Sequence, residues 1–288
     1  MIKEITTKTL LNHVKQPDTW FGLRYNLNLY RGCQHQCIYC DSRSDCYRIE
    51  NFADILVKTN AIEVLQDELP RKRNKGTIGF GSMNDPYMPI EKERELTKKA
   101  LEAIQKNRFP VHILTKSALV TRDIDVLKKI AEQYAAVSFT VTTADDDLCK
   151  KLEPGAPVAS ERFAAMKELH KNGIYTGILL MPVLPFIEDT RDNVKAIVEA
   201  AAESGASYIL PWFGMSIRSG QREYFYAKLD ELFPGIREKY ELRFGEQYQC
   251  DVPNAKELYQ YFDELCKKCG ITKKIEVYEE KSEQRKLF

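Results

Sequence analysis

Short apolar segments rich in β-branched and aromatic residues alternate with longer amphipathic segments along most of this chain. Six segments have the composition and length of buried strands: 25–30, 76–81, 111–115, 136–141, 175–181 and 207–211. Between them, apolar residues recur at helical spacing over 60–69, 91–107, 122–134, 160–172 and 190–204. Strands that alternate with helices form parallel sheets through right-handed crossovers. The pattern therefore predicts an α/β protein whose functional residues lie at the carboxyl ends of the strands.

The order of these segments narrows the architecture further. No Gly-x-Gly-x-x-Gly follows the first predicted strand, which disfavours a dinucleotide-binding fold. We therefore predict a partial (β/α)6 barrel, similar to a TIM barrel. After about residue 220 the pattern changes to helices rich in Tyr, Phe, Lys and Glu, which predicts a C-terminal helical extension. The expected organisation is an N-terminal extension over 1–22, the partial barrel over 23–218 and the helical extension over 219–288.

Charge and hydropathy limit the surroundings in which the protein is expected to work. The chain has 43 basic and 42 acidic residues, so no strong overall field attracts it to nucleic acid or to an anionic membrane. No apolar run reaches the length needed to span a bilayer, and the N-terminus lacks a signal-peptide core. We expect a cytoplasmic protein with no membrane partner. In that reducing compartment, its eight cysteines favour metal binding or catalysis over a disulfide framework.

Three cysteines follow the first predicted strand directly: Cys33, Cys37 and Cys40, with the spacing C-x3-C-x2-C. Zinc fingers and ribbons draw their ligands from two separated pairs, and closed ferredoxin clusters need a fourth cysteine. Three thiolates can instead hold three irons of a [4Fe–4S] cluster and leave the fourth iron open to a small molecule. A structural zinc site remains an alternative for the same three residues.

The cysteine motif, with Tyr39 before its last cysteine, resembles the signature of radical S-adenosylmethionine enzymes. Other segments are similar to the spore photoproduct lyase-like branch of that superfamily, in matching order: "GSMNDPYMPIEKE" (81–93), "ILTKS" (113–117), "VSFTVTT" (137–143), "EPGAP…ERF" (153–163) and "LMPVLPFIED" (180–189). The resemblance covers roughly residues 20 to 215. It implies a [4Fe–4S] cluster whose open iron binds S-adenosylmethionine. It also implies reductive cleavage of that cofactor and hydrogen abstraction by a 5′-deoxyadenosyl radical.

The resemblance also assigns cofactor-binding roles outside the cysteine motif. Lys116 and Ser138 would contact the methionine part of S-adenosylmethionine, since an ammonium forms a charge-assisted bond with a carboxylate. Tyr39 and Met181 would lie near the adenine, and Ser82 is also expected at the cofactor. The alternatives are a surface cation at Lys116, a small core residue at Ser138 and packing alone at Tyr39.

Two further residues, Asp85 and Cys46, are candidates for catalysis. Asp85 lies in a turn before a proline, so an Asx-turn explains it as well as a polar contact to ligand does. Spore photoproduct lyases carry a hydrogen-donating cysteine near the second-strand motif, whereas this chain has Met83 and no cysteine there. Thymine-dimer cleavage is therefore doubtful, and the subclass, lyase or transferase, is open. Cys46 or Cys149 would have to lie near the substrate to replace that donor; otherwise Cys46 is an ordinary thiol.

The expected partners follow from the same chemistry. Reductive cleavage needs an electron donor such as flavodoxin or ferredoxin, and the resemblance points to a nucleic acid or nucleotide substrate. Arg218, Arg222 and Arg243, with Tyr224 and Tyr226, would supply phosphate contacts and stacking surfaces. The neutral overall charge argues against nucleic acid, and a peptide or small metabolite is also open. The rival functions are an iron–sulfur protein for electron transfer or redox sensing, and a zinc-stabilised barrel with other chemistry.

The remaining thiols lie in the predicted C-terminal extension. Cys250, Cys266 and Cys269 could form an auxiliary metal site, but Cys266 is at an apolar helix position in phase with Phe262. We interpret them as structural thiols. His112 alternates with apolar neighbours in the third predicted strand and is also interpreted as structural.

Overall fold

The computed structural model describes residues 1–16, 19–49 and 51–280. Strands in these ranges are Ile2–Ile5 (β1), Leu11–His13 (β2), Leu23–Leu27 (β3), Tyr30–Arg31 (β4), Ile55–Lys58 (β5), Thr77–Phe80 (β6), Val111–Thr115 (β7), Ala135–Thr140 (β8), Tyr175–Leu180 (β9), Tyr208–Pro211 (β10), Gly214–Ser216 (β11) and Gln249–Asp251 (β12). The α-helices are Ala61–Arg71 (α1), Glu91–Arg94 (α2), Leu96–Lys106 (α3), Ile124–Ala131 (α4), Asp146–Leu152 (α5), Ala159–Lys171 (α6), Arg191–Glu203 (α7), Gln221–Leu232 (α8), Ile236–Phe244 (α9) and Ala255–Cys269 (α10). Short 3-10 turns occupy Asp41–Arg43, Asp45–Tyr47 and Ala118–Asp123.

An open sheet forms the centre of the molecule. Strands β3, β6, β7, β8, β9 and β10 pair in that order and are all parallel, and β2 adds to β3 antiparallel. These six parallel strands correspond to the six strands predicted from the sequence. The sheet does not close, so the predicted partial (β/α)6 barrel is confirmed.

The helices that connect the parallel strands bury their apolar faces against the sheet. Ala100, Leu101 and Ile104 of α3 and Val194 and Ile197 of α7 are all fully buried in the main core. Burial of such side chains is the main favourable contribution to folding.

The single helix predicted over 91–107 is wrong in one respect. The chain forms the short helix α2 and then α3, because Glu95 between them adopts a left-handed conformation with φ of 51°. A residue in that conformation cannot continue a right-handed helix.

Two small sheets, which the sequence did not predict, lie outside the barrel. Strand β5 pairs with β1 in parallel and with β4 antiparallel. In sequence, β4 directly precedes the cysteine loop and β5 is the next strand after it. Strands β11 and β12 form an antiparallel pair after the last barrel strand. The C-terminal helix α10 packs on α7, and α8 contacts the 3-10 turn Asp41–Arg43. Among the residues described, no helix has the length and apolar character required to cross a membrane.

Candidate active site

The loop that carries the three cysteines begins at Gly32, directly after β4. Cys33 and Cys37 are buried, and Cys40 is half-buried. Gly32 has φ of 77°, and a Cβ at this position would lie 2.3 Å from the carbonyl oxygen of Asp54. Both the positive φ and the close approach favour glycine. The backbone at Gly32 therefore fixes where the cysteine loop leaves the small sheet.

The three thiols line one cavity of about 110 Å³, called here the cysteine cavity. Its other walls come from the carboxyl ends of β6, β7 and β8, where functional residues of a parallel sheet are expected. The lining residues are Cys33, His35, Cys37, Cys40, Ser42, Gly81, Ser82, Met83, Asn84, Asp85, Leu114, Thr115, Lys116 and Thr140. No group of three His, Cys, Asp or Glu side chains in the described ranges is arranged to hold a single metal ion. The three thiols therefore line a cavity and do not converge on one position that could hold a single metal ion.

Burial controls the ionisation of the three thiols. It raises the pKa of Cys33 to about 12, it raises the pKa of Cys40, and it raises the pKa of Cys37 well above the ordinary value. The ammonium of Lys116 opposes this effect at Cys37, and the backbone N–H of Asp85 opposes it at Cys33. Thiolates in such surroundings need a strong positive charge nearby. A cationic metal group bound to the sulfur atoms would supply that charge.

Asp85 anchors the wall of the cavity opposite the cysteine loop. Its Oδ1 accepts hydrogen bonds from the backbone N–H of Tyr87 and the hydroxyl of Thr115, both at 2.8 Å. Its Oδ2 accepts from the backbone N–H of Lys116 at 2.6 Å. Burial alone would raise the pKa of Asp85, but the charge of His35 and these hydrogen bonds lower it to about 2. The predicted Asx-turn is present as the bond to Tyr87, yet Asp85 also joins the β6 loop to the end of β7.

His35 is a cavity residue that the sequence analysis missed. It is about 1% exposed, and its Nδ1 lies 3.3 Å from Oδ2 of Asp85, a distance typical of an ion pair. The contact lacks hydrogen-bond geometry, so both ring nitrogens are without a hydrogen-bond partner in the described structure. Nδ1 still has the carboxylate of Asp85 beside it, whereas Nε2 is a buried polar atom without a partner, which costs about 1–3 kcal/mol. The sequence feature that could have identified His35 as a cavity residue is its position inside the cysteine motif, in a chain with only four histidines.

Lys116 and Tyr39 meet at the buried carboxylate of Glu153. The hydroxyl of Tyr39 and the guanidinium of Arg162 both donate hydrogen bonds to Glu153, and Nζ of Lys116 lies 3.8 Å from its Oε1. Burial would raise the pKa of Glu153, but the charges of Arg162 and Lys116 lower it. Burial would lower the pKa of Lys116, but Cys37 and Glu153 raise it. Lys116 is therefore held as an ammonium at the cavity wall.

Ser138 is not brought to the cysteine cavity. Its Oγ lies 2.7 Å from Nε2 of His112 and 2.6 Å from the hydroxyl of Tyr208, and it is fully buried. Thr140, two residues further along β8, lines the cavity instead. Burial lowers the pKa of His112 to about 3, so the ring is neutral and agrees with the structural role interpreted for it.

Among the other predicted site residues, Ser82 lines the cysteine cavity, whereas Met181 and Cys46 do not. Met181, directly after β9, is half-buried and packs on an apolar cluster that includes Leu179 and Leu210. Cys46 is exposed, and its Sγ lies 3.5 Å from the guanidinium of Arg218. Cys149 is buried and also lies outside the lining. The geometry therefore brings neither candidate hydrogen donor to the three thiols.

Two of the arginines predicted to contact phosphate have structural partners. Arg222 donates to the carbonyl oxygens of Gly245 at 2.8 Å and Gln247 at 3.0 Å, which ties α8 to the segment after α9. Arg218 lies 3.2 Å from a carboxylate oxygen of Asp41. Both guanidinium groups are engaged within the protein, so the sequence argument for a phosphate surface here is weakened.

The C-terminal thiols occupy separate packed regions. Cys250 is buried in a cluster with Tyr240 under α8 and α9, whereas Cys266 is buried in the main core with Phe262. Cys269 packs on the edge of the main core. This placement agrees with their interpretation as structural thiols.

Comparison with known protein families and sequences gives a consistent result. The family model described as "Radical SAM superfamily" matches residues 27–200. An uncharacterized protein of Methanocaldococcus jannaschii is 37% identical over 191 residues, which cover 65% of this chain and 70% of that protein. A protein of Pseudomonas phage M6 named radical SAM Nalpha-GlyT isomerase is 28% identical over 215 residues, covering 75% of this chain and 42% of that protein.

A similar fold is found among solved structures. Spore photoproduct lyase complexed with dinucleoside spore photoproduct superposes with a TM-score of 0.70 over 94% of this chain and 81% of that chain. The sequence identity is 15%, so the likeness concerns the fold. It agrees with the open parallel sheet described above.

Proposed function

The chain belongs to the radical SAM superfamily, and from this we propose that it is an enzyme in which Cys33, Cys37 and Cys40 hold one [4Fe–4S] cluster. The observation that supports the proposal most directly is the cysteine cavity itself. Three thiols from one loop and the ammonium of Lys116 line the same space at the carboxyl edge of the sheet. Soft thiolate ligands favour iron–sulfur clusters.

The residues around the cavity fit a cluster together with S-adenosylmethionine. When bound, such a cluster would supply the electron for reductive cleavage of S-adenosylmethionine, with hydrogen abstraction from a substrate as the outcome. Lys116 would bind the carboxylate of the cofactor, because its charge is held at the cavity wall by Glu153. Ser82 would contribute a hydroxyl from the β6 loop. Burial of the cysteine loop would exclude water from the reacting centre.

Two earlier candidates have different roles in this proposal. Asp85 would position the cavity wall, because its carboxylate is occupied by Tyr87, Thr115 and the backbone of Lys116. Tyr39 would support Glu153 from behind the cysteine loop. An electron donor such as flavodoxin or ferredoxin would supply the reducing electron.

The test is anaerobic reconstitution with iron and sulfide, followed by dithionite, S-adenosylmethionine and chromatographic quantification of 5′-deoxyadenosine. We expect a brown protein whose product formation requires both cluster and reductant. Cys37→Ala should lose both the absorbance of the cluster and the cleavage. The matched control is Cys269→Ala, a substitution at a half-buried thiol outside the cavity, which should retain both.

Three outcomes would contradict the proposal in different ways. Cleavage retained by Cys37→Ala would show that the ligands are misassigned. A colourless protein containing zinc would favour a metal-stabilised barrel with other chemistry. A brown protein that leaves S-adenosylmethionine intact would favour electron transfer or redox sensing.

A further inference from the structure

The guanidinium of Arg43 is held between two aromatic rings beside the cysteine loop. Its Cζ lies 3.7 Å from the centre of the Tyr224 ring and 4.3 Å from the centre of the Phe52 ring. Cation–π contacts of this kind strengthen where water is excluded, and here Phe52 is buried and Tyr224 is half-buried. Tyr224 belongs to α8. The two rings and the guanidinium therefore join the C-terminal helical extension to the segment directly after Cys40.

Hydrogen bonds fix the same guanidinium to the cysteine loop itself. Nη2 of Arg43 donates to Oε1 of Gln36 at 2.7 Å, and Nε donates to the carbonyl oxygen of Cys37 at 3.4 Å. The side-chain amide of Gln36 in turn donates to the carbonyl oxygen of Cys33. Gln36 has φ of 52°, a conformation that a residue other than glycine keeps only when its surroundings support it. Arg43 therefore holds the backbone of the loop both directly and through Gln36.

A second contact holds α8 on the same loop. Gln221, the first residue of α8, is fully buried, and its amide donates to the carbonyl oxygens of Tyr39 at 2.8 Å and Ser216 at 2.9 Å. Tyr224 follows about one helical turn later, on the same side of the helix. Because Gln221 fixes the helix against the loop, the ring of Tyr224 meets Arg43 in a defined position.

The charge of Arg43 acts on the three thiols. Burial lowers the pKa of the guanidinium, but Tyr224 and the thiols of Cys40, Cys37 and Cys33 oppose that effect. Within the described ranges no carboxylate oxygen lies within 4 Å of Arg43, so no acidic side chain compensates its charge there. A guanidinium keeps its charge under all ordinary conditions. Arg43 therefore places a permanent positive charge beside any group that the thiols bind.

We propose that Arg43 is a positioning residue that holds the cysteine loop on α8 and raises the reduction potential of the cluster bound there. The inference rests on the proposed function, because it concerns the cluster assigned to the three thiols. Reduction by one electron from the donor adds a negative charge, and a cation nearby favours the reduced form. The helical extension is then part of the redox site, since one of its rings holds that cation.

The test is the midpoint potential of the reconstituted cluster. It is measured without S-adenosylmethionine, by anaerobic titration with dithionite and mediators followed by electron paramagnetic resonance. Arg43→Met keeps much of the side-chain length and loses the charge. We expect its reduction to be about tenfold less favourable, which is a fall of about 59 mV for one electron. Arg43→Lys keeps the charge and should stay within about threefold of the unaltered protein.

Arg237→Met is the matched control. Arg237 also lies above a tyrosine ring, 5.5 Å from the centre of Tyr226, but its side chain is 41% exposed and is paired with Asp230. Exposed charges are screened, so this variant should have the potential of the unaltered protein. An unchanged potential in Arg43→Met would overturn the proposal. A fall as large in Arg43→Lys as in Arg43→Met would overturn it too, because the effect would not depend on charge.

A second measurement covers the case in which Arg43→Met binds no cluster. The metal-free protein is treated with iodoacetamide, and labelling of Cys37 is followed by mass spectrometry of its peptide. Cys37 is about 6% exposed, so it reacts slowly while the loop is held in place. We expect labelling at least about tenfold faster in Arg43→Met, because local opening exposes the thiol, and a normal rate in Arg237→Met. Equal rates in the two variants would overturn the proposal.

Cleavage of S-adenosylmethionine by the unaltered protein is measured in parallel. Cleavage together with a normal potential in Arg43→Met would refute the role of Arg43 and leave the proposed function standing. An unaltered protein that forms no cluster, together with faster labelling in Arg43→Met, would refute the proposed function and the effect on potential. Only the contact between Arg43 and the loop would then remain.

Discussion

The substitution Arg162→Met tests whether the buried ion pair behind the cysteine cavity holds the site together. Arg162 is about 1% exposed. Its guanidinium donates to the carbonyl oxygens of Pro157 at 2.8 Å and Thr140 at 2.9 Å, and to the carboxylate of Glu153. Methionine retains much of the side-chain volume but has no donor. The buried carboxylate of Glu153 and two half-buried carbonyl oxygens therefore lose a partner at once, as does Sγ of Cys149, which accepts from Arg162 at 3.3 Å.

The expected loss of stability follows from these contacts. Each buried acceptor left without a partner costs about 1–3 kcal/mol, and breaking a buried ion pair by removing one partner costs about 3–5 kcal/mol. The two figures overlap, because the carboxylate of Glu153 is counted in both. Lys116, whose Nζ is 3.8 Å from Glu153, compensates part of the remaining charge. We therefore expect Arg162→Met to lower the free energy of unfolding by about 3–5 kcal/mol.

The measurement is urea unfolding of the metal-free protein at pH 7, followed by tryptophan fluorescence and extrapolated to water. Arg237→Met is the matched control, since Arg237 lies 2.8 Å from carboxylate oxygens of both Asp230 and Glu241 on an exposed surface. Exposed ion pairs contribute little to stability, so this variant should unfold at nearly the normal urea concentration. Equal losses in the two variants would refute the reasoning.

A double variant distinguishes the ion pair from the lost backbone bonds. Glu153→Gln combined with Arg162→Met removes the buried charge that the single variant leaves uncompensated. We expect the double variant to recover at least about 1 kcal/mol of the loss. A double variant no more stable than Arg162→Met would show that the unpaired carbonyl oxygens cause the destabilisation.

Three other substitutions test separate parts of the site. Gly32→Ala should bind less than about half the normal iron after reconstitution, because its Cβ would meet a carbonyl oxygen at 2.3 Å. The control is Gly235→Ala, where φ is 82° and a Cβ would meet no atom within 4 Å, and this variant should bind the normal amount of iron. Lys116→Met should raise the Kd for S-adenosylmethionine about tenfold in equilibrium dialysis while iron content stays normal, and Lys128→Met should not; an unchanged Kd would contradict the assignment. Burial raises the pKa of Glu188 to about 8, so as the pH rises Glu188 ionises in the unfolded chain before it does in the folded protein. The free energy of unfolding should therefore fall as the pH is raised from about 4.5 to about 8. Glu188→Gln should lessen that fall in urea unfolding, and parallel pH profiles would contradict it.

The six parallel strands could be predicted from the sequence because each is a local apolar run between helical segments. The small sheet around β5 could not. Strand β1 has three exposed residues and one half-buried residue, so it shows no alternation, and Ile2 pairs with Ile55 far along the chain. Its pairing depends on tertiary contacts that local patterns do not contain.

The same limit applies to the candidate site. The cysteine motif is local, with all three thiols within eight residues, so its spacing alone indicated a shared ligand. Glu153 lies 114 residues from Tyr39, and the resemblance of the surrounding segment gave it no role. The alternation of side chains along a strand predicts the face on which Ser138 lies. It does not predict how far along the strand the cavity begins. Thr140 on the same face reaches the cavity, while Ser138 lies deeper between His112 and Tyr208.

The position of Lys116 shows what the sheet contributes beyond charge. Its backbone N–H binds Asp85, which is itself fixed by Thr115 at the end of β7, and its Nζ faces Glu153, which Arg162 holds from α6. Both ends of the lysine are therefore tied to regular elements. An ammonium confined in this way loses less conformational entropy when it binds a carboxylate than a free surface lysine does. Exposed lysines such as those on α4 have the same charge, so we propose that binding of the cofactor's carboxylate group at this cavity depends on the placement that the ends of the strands provide.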